Sequence, residues 1–139
     1  MSQFGTPLTT TDFALCIYDE SGGSASLVQV ATAPGGGTCG GSPCWKPLGS
    51  GYRYKNSAAS DDGVQQILLK GGQGGKAKVK FKAGGLKLQV PAPAGGGQFF
   101  AQDPAVTVQL VNDAGFCFGA TFSAPAQRNE TDFFNDKSD

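Results

Sequence analysis

Four cysteines, a stripe of lysines, one tryptophan near two tyrosines and a few acidic turns are the groups in this chain able to do chemistry. Lys76, Lys78, Lys80 and Lys82 alternate with Ala77, Val79, Phe81 and Ala83. On an extended backbone the ammonium groups share one face and the apolar groups the other. With Lys87 added, that face would hold the phosphates or carboxylates of a polyanion. The same stripe has a structural reading, in which lysines on an edge strand block aggregation. The structural reading is favoured, because Phe81 points away from the lysines and leaves them without aromatic company. Trp45, Tyr52 and Tyr54, beside Arg53 and Lys55, would line a sugar-binding platform. Rings on one strand face more often belong to a core or its rim.

Nothing in the chain assembles a catalytic set. The sequence has 0 histidines, so the commonest general base is missing. No serine sits in a Gly-x-Ser-x-Gly elbow. Gly71-Gly72-Gln73-Gly74-Gly75 lacks the Gly-Lys-Ser/Thr ending of a phosphate loop. Asp19, Glu20, Asp61 and Asp62 would serve as a hydrolytic carboxylate pair only across one cleft, and no pattern places them so. They would also suit calcium, but Asp61-Asp62-Gly63 is ordinary turn chemistry without EF-hand spacing. The expectation is a non-enzyme with no cofactor and no metal.

The cysteines are Cys16, Cys39, Cys44 and Cys117. Cys39 and Cys44 flank a Gly- and Pro-rich loop able to fold back on itself. Cys16 and Cys117 lie in the apolar runs nearest the two ends. Pairing Cys39 with Cys44 and Cys16 with Cys117 is the expected connectivity. Free thiols come next and zinc last, because zinc sites favour two close pairs and this chain has only one. An even count in a loop-rich chain favours an oxidising compartment.

These groups must be positioned by strands. The chain of 139 residues has 22 Gly and 8 Pro gathered in short breaks between apolar runs, the composition of folded all-β structure. Strand candidates fall at Asp12–Tyr18, Ala25–Thr32, Cys44–Leu48 (a short edge strand, because Pro47 cannot donate to a ladder), Gly51–Lys55, Val64–Lys70 (where consecutive Ile67, Leu68 and Leu69 read as buried on both faces), Lys76–Ala83, Leu86–Val90, Ala105–Val111 and Phe116–Ser123. Gly84-Gly85 predicts a tight hairpin between the lysine strand and Leu86–Val90. About eight or nine short antiparallel strands predict a β-sandwich, jelly-roll or immunoglobulin-like. Residues 1–123 form that domain and residues 124–139 a polar tail, with Phe133 and Phe134 docking back. No run approaches the length of a spanning helix, and the first residues do not read as a signal peptide.

Leu15-Cys16-Ile17-Tyr18-Asp19, Cys44-Trp45-Lys46, Tyr54-Lys55, Gly75-Lys76-Ala77-Lys78 and Ala120-Thr121-Phe122-Ser123 together resemble a β-rich C-terminal module of exported bacterial proteins that has no assigned activity. The likeness runs from about Phe4 to Asp139. It implies export and a place at the end of a longer polypeptide. The chain departs from it at Phe118-Gly119, where Trp-Glu is expected.

The formal net charge is +0, which excludes a global field drawing the chain to nucleic acid or membrane. The functional expectation is a non-catalytic, secreted or cell-surface structural or interaction module. Its partners would be protein subunits or extracellular polymers, or further copies of itself. A carbohydrate- or polyanion-binding domain is the alternative.

Overall fold

The computed structural model describes residues 2–139. After a 3-10 turn at Ser2–Phe4, the chain forms β1 (Phe13–Ser21), β2 (Ser24–Ala33), β3 (Thr38–Cys39), β4 (Ser42–Pro43), β5 (Trp45–Leu48) and β6 (Gly51–Lys55). It continues with β7 (Val64–Lys70), β8 (Lys78–Ala83), β9 (Ala105–Asn112), β10 (Cys117–Ser123), β11 (Arg128–Glu130) and β12 (Phe133–Asn135). Two four-stranded sheets carry the fold, ordered β10-β9-β1-β2 and β5-β6-β7-β8. All their pairings are antiparallel, and neither sheet closes on itself. The all-β, antiparallel expectation holds at this level.

One hydrophobic cluster draws from both sheets. Phe13, Ala31, Ala33 and Leu110 come from the first, and Trp45, Tyr54, Val64, Ile67 and Leu69 from the second. Phe13 lies 5.2 Å from Trp45 between ring centroids, and Trp45 lies 5.2 Å from Tyr54. Phe4 seals one end, 6.4 Å from Tyr52 of one sheet and 5.5 Å from Phe118 of the other. Burying each large apolar side chain contributes about 1.5–3 kcal/mol. Period two then fixes the opposite faces. The run Ile67-Leu68-Leu69, read as buried on both sides, obeys it: Ile67 and Leu69 are buried, and Leu68 is half-buried on the outer face. A bulge between Val64 and Gln66 resets the phase, so that Val64 and Ile67 both point inward.

Polar groups that enter the core find partners. Trp45 Nε1 donates to Pro34 O at 2.8 Å. Tyr54 OH donates to Asp61 Oδ2 at 2.9 Å, and Asn56 Nδ2 donates to Ser60 Oγ at 2.8 Å and to Asp61 Oδ2 at 3.1 Å. The next carboxylate, Asp62, accepts from Thr32 N at 3.0 Å and from Thr32 Oγ1 at 2.6 Å. The acidic turn therefore ties β6 to β2 across the two sheets.

Two expectations are corrected. Leu86–Val90 is no strand: after Gly84-Gly85 the chain turns, with Leu88 N donating to Gly85 O at 3.2 Å. Leu86 lies fully in solvent and Val90 is exposed, while Leu88 packs against the core over Gly63. Gly63 has φ +77° and no room for a Cβ beside Leu88, which is why glycine stands there. One apolar plug suffices at this end of the core, so the alternation of Leu86–Val90 never builds a ladder. The lysine strand is also shorter than expected, since β8 begins at Lys78 and leaves Lys76 and Ala77 outside it.

The last residues are ordered as a β11–β12 ribbon. Phe134 docks as expected, 5.0 Å from Phe100, and Asn129 holds the site by accepting from Phe99 N and Phe100 N at 2.9 and 3.1 Å. Phe133 stays exposed beneath the Arg128 guanidinium, 4.6 Å above its ring.

Burial, with Asp61 beside it, pushes the Tyr54 phenol from its ordinary 10.0 up to about 12. The folded state thus favours the neutral phenol. Stability linked to this group is complete below pH 10.0 and is lost as pH rises through about 12. Ultraviolet titration is expected to show a tyrosinate step near pH 12 that vanishes in Tyr54→Phe. Its persistence in that variant would reassign the step.

Candidate functional site

The inward pull on Trp45, Tyr52 and Tyr54 sends the alternate residues of β5 and β6 outward, and the register aligns them with β7 and β8. Lys46 stands opposite Arg53, Arg53 opposite Leu68, and Leu68 opposite Lys80. The flanking rows run Lys55–Gln66–Lys82 and Gly51–Lys70–Lys78. Seven of the 11 basic residues (Lys46, Arg53, Lys55, Lys70, Lys78, Lys80 and Lys82) thus share one sheet face with no carboxylate in any row. Neighbouring strands are about 4.8 Å apart and neighbouring rows about 6.7 Å apart. Among the described residues the ion pair is Arg128–Glu130, far along the chain, and no cation of this face has an anionic partner. Lys46 facing Arg53 and Lys70 facing Lys78 are directly opposed like charges, which destabilise a sheet.

Arg53 and Lys55 also line concavities beside this face. One, of about 400 Å³, has the Cys39–Cys44 loop as its wall and Lys46, Arg53 and Lys55 opposite. The other, of about 410 Å³, is lined by Arg53, Lys55, Gln66 and Lys82. The wall is stiff for local reasons. The Cys39–Cys44 disulfide is formed, with its Cα atoms 4.9 Å apart, as expected from the loop. Cys44 N donates to Gly37 O at 3.1 Å, and Lys55 N donates to Cys44 O at 2.9 Å, fixing the loop to β6. A rigid cationic surface with a shallow recess attracts and orients anions; it has no nucleophile paired with a base.

Of the lysines singled out from sequence, Lys78, Lys80 and Lys82 lie on this face. Lys76 precedes the strand, and Lys87 sits in the later turn with Nζ 3.5 Å from Ser60 O. Lys46, Arg53, Lys55 and Lys70 were not in that set. Their alternation was visible, but which strands lie side by side was not.

The sugar platform is corrected. Trp45 is 2% exposed and Tyr54 0%, and Tyr52 leans on Phe4, so these rings form the core and offer no stacking surface. The Cys16–Cys117 bridge is corrected as well, since both are free thiols. Cys16 pairs with Gln109 and Cys117 with Val111, leaving β9 between them. Two strand spacings, about 9.6 Å, exceed the roughly 7 Å that a disulfide spans. Three of the four acidic groups weighed for hydrolysis or calcium hold loops instead: Asp61 and Asp62 as described, and Asp19 by accepting from Ala101 N at 3.0 Å. No helix among the described residues is long and apolar enough to cross a membrane.

Comparison with family models, with characterised proteins and with solved structures gives no match. The reading of this site therefore rests on its own chemistry.

Cys117 is exposed, whereas Cys16 is half-buried with its thiol pKa raised, first by burial and also by the neighbouring Cys117. Maleimide labelling of the native protein should modify Cys117 first and Cys16 slowly, with Cys39 and Cys44 unreactive until reduced. A peptide map showing Cys16 joined to Cys117 would contradict the register.

Proposed function

We propose that this protein is a non-catalytic extracellular binding module whose β5–β8 face takes an acidic polysaccharide. The observation that carries this reading is the set of unneutralised cations spread over four strands. Edge protection calls for lysines on the edge strands β5 and β8 only. It does not account for Arg53 and Lys70 on the central strands, where opposed like charges cost stability. A bound polyanion removes that cost. Rows about 6.7 Å apart and strands about 4.8 Å apart match a flexible chain carrying one anionic group per sugar or two better than they match a single small anion.

The chemistry favours carboxylated or sulfated sugar polymers over other polyanions. No aromatic ring lies on the basic face to stack nucleobases, because Trp45, Tyr52 and Tyr54 all point inward. That face also has no protruding apolar anchor for a lipid surface, since Leu68 is half-buried among lysine stems. The shared core supports reading the two sheets as the halves of a β-sandwich, wired as hairpin, meander and hairpin. The Cys39–Cys44 bridge supports an oxidising, extracellular setting, in line with the resemblance to exported modules.

Retention on a sulfated or uronate-rich polysaccharide is expected at low salt, falling steeply as salt rises. Arg53→Glu combined with Lys55→Glu should weaken binding by at least about tenfold, or 1.4 kcal/mol. Lys87→Glu, off the face, should change it little. These substitutions are exposed, so the melting temperature should stay or rise as repulsion is relieved. Equal losses from Lys87→Glu, or retention indifferent to salt, would refute the assignment; tighter binding to single-stranded nucleic acid would reassign the ligand.

A further inference from the structure

We infer that the outer edge of β8 is a docking site for an extended segment of a partner protein, one that alternates acidic and apolar residues and adds a strand to the β5–β8 sheet. This goes beyond the polysaccharide reading: it shares Lys78, Lys80 and Lys82 with that face but adds the backbone edge of β8 and the apolar cleft beside it.

The four sheet edges are treated unequally. On β10, Asp139 N donates to Thr121 O at 3.0 Å, and Ser123 N and Oγ donate to the Asp139 carboxylate at 3.3 and 2.6 Å. On β2, ten residues long, the cover is confined to the second half, where Gln29 Nε2 donates to Gln89 O at 2.6 Å and Thr32 N donates to Asp62 at 3.0 Å. The β5 edge is four residues long and contains Pro47, which cannot donate. The β8 edge is six residues long, holds no proline, and among the described residues nothing hydrogen-bonds to its outer side. An unpaired strand edge is a template for another chain.

Beside that edge the two sheets splay apart. A cleft of about 690 Å³ opens between β8 and β10, lined by Leu15, Val79, Phe81, Leu110, Phe118 and Phe122. Val79 is 39% exposed there, on the side of the strand that should face the core. The volume lies within the roughly 300–1,000 Å³ of ligand-binding clefts.

The chemistry of the occupant follows from the pleat. A strand added about 4.8 Å from β8 would place alternate side chains over Val79 and Phe81, into the apolar cleft. Its other side chains would lie beside Lys78, Lys80 and Lys82, where carboxylates are favoured. A second copy of β8 would bring lysine against lysine, so the edge rejects its own kind and admits an acidic partner.

The test uses the whole protein and two labelled peptides of identical composition. One alternates, Glu-Val-Glu-Ile-Glu-Val, and the other is blocked, Glu-Glu-Glu-Val-Ile-Val. Fluorescence anisotropy should show the alternating peptide binding at least about tenfold tighter. Amide exchange should slow at the outward N–H groups of β8. Val79→Asp, at an exposed position, should remove the preference, whereas Arg53→Glu with Lys55→Glu should keep it, separating this site from the polysaccharide face. Equal binding of the two peptides would reduce the effect to charge alone and overturn the proposal. So would protection located away from β8, no binding of either peptide, or sedimentation showing a second copy paired on that edge. The exchange experiment on the unaltered protein decides the matter even where Val79→Asp fails to fold.

Discussion

The contact on which the rest depends is the run of rings from Phe13 through Trp45 to Tyr54, which locks one sheet to the other. A strand has only two faces, so seating Trp45 and Tyr54 in the core leaves Lys46, Arg53 and Lys55 no choice but the surface. A slip of one residue in β6 would bury Arg53 and expose Tyr54, exchanging an aromatic core position for an unpaired charge. Register, core and surface charge are therefore one decision, enforced by the cost of burying a guanidinium.

Charge neutrality of the whole chain conceals a division of labour. The carboxylates are engaged in holding backbone together: Asp12 accepts from Gly35 N at 2.7 Å, Asp103 from Gly22 N at 3.1 Å, and Asp113 from Asp12 N at 3.2 Å. Asp61 and Asp62 brace the turn between β6 and β7, and Asp139 closes β10. These are loop positions, where short acidic side chains suit turn geometry. Most of the bases sit on strands with their charged ends in water. A field of one sign thus persists over one face although the sum is zero, and such a field orients an approaching anion within about a Debye length, ~8 Å at physiological salt.

Much of the architecture was legible because it follows from local pattern. Sequence pattern placed β2, β6, β9 and β10 to within one residue and β1 to within three, and Pro47 marked β5 as an edge. The misses share a cause: they needed to know what lies beside what. Leu86–Val90 alternates as well as β8 does, yet Leu88 turns down against the core over Gly63 and the run leaves the β8 edge unpaired. Trp45 and Tyr54 could be weighed as core, the favoured reading, or as a surface platform, and only the placing of the second sheet shows them inward. Cys16 and Cys117 looked like partners until β9 was found between them. The basic face itself was half visible, as β8, and its other half emerged only when Lys46, Arg53 and Lys55 were set in register with it.

The bulge between Val64 and Gln66 has a wider consequence for how this chain tolerates change in length. By absorbing one extra residue it uncouples the parity of the β7 entrance from that of its body, so Val64 and Ile67 dock together while Leu68 and Lys70 remain with the cations. Deleting Gln65 would leave Val64 and Ile67 two positions apart and both still inward, whereas a residue added or lost between Ile67 and Lys70 would turn every side chain beyond it to the other layer. Length variation is thereby confined to the glycine loops, where an added residue shifts no side chain from one layer to the other. The pleat acts as a reading frame, and this bulge is its single corrected insertion within the meander.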